Sequence, residues 1–166
     1  MIYRASAIFA ALAIVLTLMF IQASGQNSQK LPIPFGLDKR PMPTGTDLNV
    51  LVPPTVGSFT REQLPPDAKA RSDEDLNVTY KSGSDSVFFG FSIPDTPADA
   101  YEAVKVTREE AIASKVNMKG EQYVIGKDPS YFKVSDFMSW TRGKYFFYAK
   151  ANSPAALEKF MSGFPF

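Results

Sequence analysis

Apolar side chains follow three different rhythms along this chain. From Ala5 to Gly25 they form an uncharged run, about long enough for a bilayer core, which needs ~20 apolar residues. Residues 26–46 show no period. From Leu76 onward apolar and polar positions alternate in short runs, the signature of strands with two unlike faces.

The alternating region resolves into two similar units. Asn77 to Tyr80 and Ser86 to Ile93 flank Lys81-Ser82-Gly83-Ser84-Asp85, a predicted hairpin in which Val87, Phe89, Phe91 and Ile93 share a face. Thr96-Pro97-Ala98-Asp99 then opens a helix, with a hydroxyl cap, proline at the first position and an acid at the third. That helix is expected to run to about Lys115, with Ala100, Val104, Ala111 and Ile112 near its buried side, and to end at Asn117 and Gly120. The second unit is Phe137 to Trp140, a Thr141-Arg142-Gly143 turn, Tyr145 to Ala151, and a helix begun by Ser153-Pro154 with Leu157, Phe160 and Met161 on one side. VFFGFSIPDTPADAYEAV and YFFYAKANSPAALEKF thus share an aromatic strand, a connector, a hydroxyl residue before Pro-Ala, and a helix, one residue out of register. Gln122 to Ile125 and Tyr131 to Val134 add two strands between the units. The fold expected is α+β, an antiparallel sheet of about six strands with two helices packed on one face, preceded by an N-terminal transmembrane or signal helix.

Proline divides the rest. Eight of the 13 prolines fall before residue 67, so residues 26–46 read as a semi-rigid tether and 47–166 as the extracytoplasmic domain. Leu48 to Val52 is a short strand candidate, and Val56-Gly57-Ser58-Phe59 a covering segment before Pro65-Pro66. Residues 1–25 are a membrane anchor or signal segment. Ala23-Ser24-Gly25 satisfies the small-residue rule for cleavage, while the length of the apolar run favours retention. With Arg4 held in the cytoplasm, the expectation is a single-pass protein whose C-terminal domain lies outside, or an exported one if the segment is cleaved. Ser6, Ala10, Ala13 and Thr17 recur on one side of that helix, a small-residue seam suited to close packing on another transmembrane helix.

Charge and residue types narrow the function. There are 18 Lys and Arg against 17 Asp and Glu, and only Arg4 precedes Lys30, so the remainder balances at 17 against 17, unlike a nucleic-acid binder. The chain has neither cysteine nor histidine, which removes disulfides, a lipid-carrying cysteine, the usual zinc sites and histidine-based catalysis. Ser130-Tyr131-Phe132-Lys133 has the spacing of a Ser-x-x-Lys nucleophile, but in a strand-like run residues three apart point to opposite faces. Asp95, Asp99 and Glu102 could pair as catalytic carboxylates, and they equally suit a helix start, where they offset the dipole. Asp73-Glu74-Asp75 reads as a solvated acidic loop, and Asn77-Val78-Thr79 as a glycosylation sequon by pattern only.

The aromatic residues carry the functional expectation. If Val87, Phe89, Phe91 and Phe147 face the helices, Phe88, Phe146 and Tyr148 lie on the opposite face, with Trp140 joining them in one register. Either the Leu48 to Leu64 segment covers that face or it is a partner or ligand surface. The sequence therefore points to a non-enzymatic, membrane-anchored accessory or interaction subunit of a membrane complex, with no cofactor and no nucleic acid. The alternative is a periplasmic module that binds a small apolar ligand.

Overall fold

The computed structural model describes residues 32–64 and 76–166. The apolar N-terminal run, its seam of Ser6, Ala10, Ala13 and Thr17, and Asp73-Glu74-Asp75 lie outside the described residues. Among the described residues no helix is long and apolar enough to cross a membrane.

The protein is α+β, built on one open antiparallel sheet of eight strands. In chain order these are β1 (Thr55–Val56), β2 (Phe59–Arg61), β3 (Leu76–Ser82), β4 (Asp85–Ser92), β5 (Gln122–Val124), β6 (Tyr131–Val134), β7 (Phe137–Arg142) and β8 (Tyr145–Ala151). Their spatial order is β1-β2-β3-β4-β8-β7-β6-β5. The two hairpins of the repeat meet at the centre, where β4 pairs with β8 and Phe91 sits opposite Phe147.

Eight strands replace the expected six because the covering segment is itself a hairpin. Gly57, at φ +57°, makes the tight turn between β1 and β2, and Thr60 pairs with Lys81 to continue the sheet. The expected strand at Leu48 to Val52 is instead a single helical turn, α1 (Leu48–Leu51). The Asp47 carboxylate accepts from the Asn49 amide at 2.9 Å, a local cap that favours the helical turn over an extended run.

The two long helices, α2 (Pro97–Ala113) and α3 (Pro154–Gly163), pack on opposite faces of the sheet, which corrects the one-face expectation. Phe160 and Leu157 of α3 share a core with Phe89, Phe147 and Trp140. Ala100 and Val104 of α2 share another with Phe132, Val134 and Phe146. Phe146 and Phe147 are neighbours in one strand, so they point to opposite sides. The connectors allow this difference between the repeated units: two residues join β8 to α3, and four join β4 to α2. Ile93 still belongs to the α3-side core, and Pro94 to Thr96 give the chain length to pass around the sheet end.

The α3-side core also takes in the stretch expected to be a tether. From Ile33 onward the chain belongs to the folded unit. Leu37, in a 3-10 turn at Pro34–Lys39, is fully buried. The Arg40 guanidinium donates to the carbonyls of Phe35, Met161 and Phe164, satisfying acceptors at the end of α3 that have no partner within the helix. Arg142, itself paired with Asp128 at 3.0 Å, donates to the Arg40 carbonyl.

Candidate functional site

Alternation along β8 places Phe146, Tyr148 and Lys150 on the α2 side of the sheet, and register extends that set sideways. Phe88 of β4 and Phe137 of β7 both sit opposite Lys150. Phe146 lies under α2 and is buried, whereas Phe88 remains 46% exposed. Phe88 and Tyr148 approach with ring centroids 6.2 Å apart, and Phe146 follows at 5.9 Å from Tyr148. The three expected to share a face do so.

Tyr148 holds its place by lying over Gly90. A Cβ there would come within 2.3 Å of the Tyr148 ring, so only glycine lets the ring lie so close to the strand. The Tyr148 hydroxyl donates to the Asn77 side chain on β3. The asparagine of the sequon is thus tied to this aromatic platform.

Trp140 does not belong to this surface. It is 0% exposed, stacks on Phe147 with centroids 5.5 Å apart and meets Phe164 edge-on. The register pairs Trp140 with Phe147, and cross-strand partners share a face, so the indole lies on the α3 side. The Leu48 to Leu64 segment lies there too, through Leu51, Val52, Val56 and Phe59. It therefore does not cover Phe88 and Tyr148; α2 covers the neighbouring part of their face.

Where α2 ends, it leaves a cleft of about 270 Å3 against β7 and β8. Ala111, Val116, Val134 and Phe137 supply apolar lining, and Glu110, Asp136 and Lys150 supply charge. The Lys150 ammonium contacts Asp136 at 2.6 Å. Phe137 and Lys150 line the cleft and are also in register with Phe88, which makes cleft and platform one continuous surface. Lys150 could have been found from sequence, since it continues the set Phe146, Tyr148. Glu110 and Asp136 carry no such signal, because only the packing of α2 brings them together.

The other sequence candidates have structural partners. The Ser130 hydroxyl donates to the Lys127 carbonyl at 2.8 Å and accepts from the Gly126 amide at 3.0 Å, while the Lys133 ammonium lies 6.0 Å from the Phe35 ring centre. They do not form a nucleophile and base. Asp99 and Thr96 make a reciprocal cap, with bonds of 3.1 and 3.2 Å, and Glu102 pairs with Lys105 at 2.7 Å. The hydrogen bond to Glu102 and its charge raise the pKa of Lys105. Among the described residues no three acidic side chains converge as metal ligands.

Comparison with known protein families, curated proteins and solved structures gives no match, so the site is read from its geometry.

Proposed function

We propose that the folded part serves outside the cytoplasm as a non-enzymatic accessory or interaction subunit of a membrane protein complex, held there by the apolar N-terminal segment. The observation that carries this reading is the exposed Phe88 ring beside Tyr148, continuous through Lys150 and Phe137 with the cleft under α2. Burying a ring of this size is worth roughly 1.5–3 kcal/mol, and an aromatic platform with a flanking recess suits the centre of a contact. The absence of histidine and cysteine removes the commonest catalytic groups and weighs in the same direction. Purification of the full chain from its source membrane in mild detergent should recover defined membrane proteins, and Phe88→Ser should reduce their yield while the protein still shows a cooperative melt. If no chain co-purifies, or if Phe88→Ser leaves the yield unchanged, the reading is lost.

A second reading is favoured by the cleft itself, whose volume of about 270 Å3 is close to the lower end of ordinary ligand sites, ~300 Å3. A small apolar ligand would rest on Ala111, Val134 and Phe137. Native mass spectrometry of the purified protein should then show a retained mass that Ala111→Trp removes.

A further inference from the structure

We propose that the cleft at the end of α2 receives a lysine or arginine side chain from the partner polypeptide, an inference that rests on the interaction-subunit reading and names the chemistry of its contact. The walls suit the stem. Val116, Val134 and Phe137 offer apolar surface against which the methylene groups of a long basic side chain can lie while its charged head stays at the rim.

The rim has a negative surplus. Of its charged groups, Asp136 and Lys150 neutralise each other at 2.6 Å. Glu110 makes no ion pair among the described residues, which leaves one net negative charge at the opening. The helix adds to it. The aligned peptide dipoles of a helix leave its C-terminus partly negative, and a nearby cation is the stabilising complement. The last turn of α2 carries no basic residue and instead begins with Glu110. Lys115 follows the helix but is not among the side chains that line the cleft. The backbone closes normally there, with the Ser114, Lys115 and Val116 amides bonding the Glu110, Ile112 and Ala111 carbonyls, so the conflict lies in the acidic side chain alone, and local conflicts concentrate at functional sites.

Other occupants fit less well. An anion would meet Glu110, with the only cleft lysine already paired. A purely apolar group would cover the Glu110 carboxylate without giving it a partner, at a desolvation cost. A cation on an aliphatic stem meets both requirements.

The test uses the full chain in detergent micelles and amide NMR. The probes are a capped alanyl-lysyl-alanine peptide, the same peptide with norleucine, and n-butylammonium. The lysine peptide should shift the amides of Thr107, Ala111, Asp136 and Phe137, and bind more weakly as salt rises. Glu110→Gln should weaken it about fivefold, the scale of one partly exposed ion pair, while leaving the melting temperature unchanged or higher. Lys150→Met should act oppositely and tighten it. Equal binding of the norleucine peptide, or indifference to both substitutions, would overturn the proposal. So would n-butylammonium binding as tightly as the peptide, since that assigns the cleft to a small amine. Co-purification separates this failure from that of the broader reading. A partner lost with Phe88→Ser but retained with Glu110→Gln leaves the interaction role standing without the cation.

Discussion

Tyr80 shows what burial does to a single polar atom in this core. Its ring is fully buried between Phe89 and Phe160, and its hydroxyl donates to the Pro53 carbonyl at 2.8 Å. Burial raises the phenol pKa above its ordinary value, with a smaller opposing pull from the Arg61 charge. Burial raises that of Tyr131 as well. An unfolded chain ionises its tyrosines near pH 10, whereas burial shifts the ionisation of these two to higher pH in the native protein. The native state then binds more protons, so stability is fully present below that pH and declines as pH rises through it and beyond. Urea unfolding between pH 7 and pH 11 should show this decline, and Tyr80→Phe should make it shallower while losing about 1 kcal/mol at pH 7 with the hydrogen bond. A slope unaltered by the substitution would contradict the assignment to Tyr80.

Helix α3 and the first hairpin approach each other closely. A Cβ on Gly163 would lie 2.7 Å from the Gly57 nitrogen and 3.0 Å from its Cα, so helix and turn touch backbone to backbone. Gly90 is crowded differently, since its nearest neighbours are the tips of the Tyr148 and Asn77 side chains. Tips can rotate away and backbone cannot. Gly163→Ala should therefore cost about 2 kcal/mol, as overpacking does, and Gly90→Ala distinctly less. Chemical denaturation of the two variants checks the order, and the reverse order would show that the Tyr148 platform, not the helix contact, is the rigid one. The repeat belongs to this scale too. Its strands and caps are legible from sequence, but the faces its helices take depend on connectors of two and four residues.

On the scale of the whole molecule, the proline-rich lead into the domain is part of the fold. Leu37 is fully buried, the Tyr145 hydroxyl donates to the Gly45 carbonyl at 3.0 Å, and Arg40 holds three carbonyls, two of them at the end of α3. Burial lowers the pKa of this guanidinium from its usual value. A chain begun at Thr46 lacks Leu37, Arg40 and the Gly45 carbonyl. It should unfold at lower urea than one begun at Lys30, or lose its cooperative transition, by several kcal/mol given one buried leucine and a set of charge-assisted bonds. Equal midpoints would return residues 33–45 to the role of a tether.

Sequence by itself determined what depends on neighbours along the chain. Period-two runs gave the hairpins Asn77 to Ile93 and Phe137 to Ala151, Thr96 and Ser153 marked their helices, and alternation alone grouped Phe88, Phe146 and Tyr148. Tertiary structure decided what depends on neighbours across the sheet. Trp140 belongs with Phe147 because of a register that alternation within one strand leaves open. Val56 to Phe59 became two strands because β3 offered an edge to pair with. Irregular residues such as Leu37 and Arg40 have no period to betray their burial. The cleft of Glu110, Asp136 and Lys150 draws on a helix, a turn and a strand, and it exists only because α2 took the face that α3 left open.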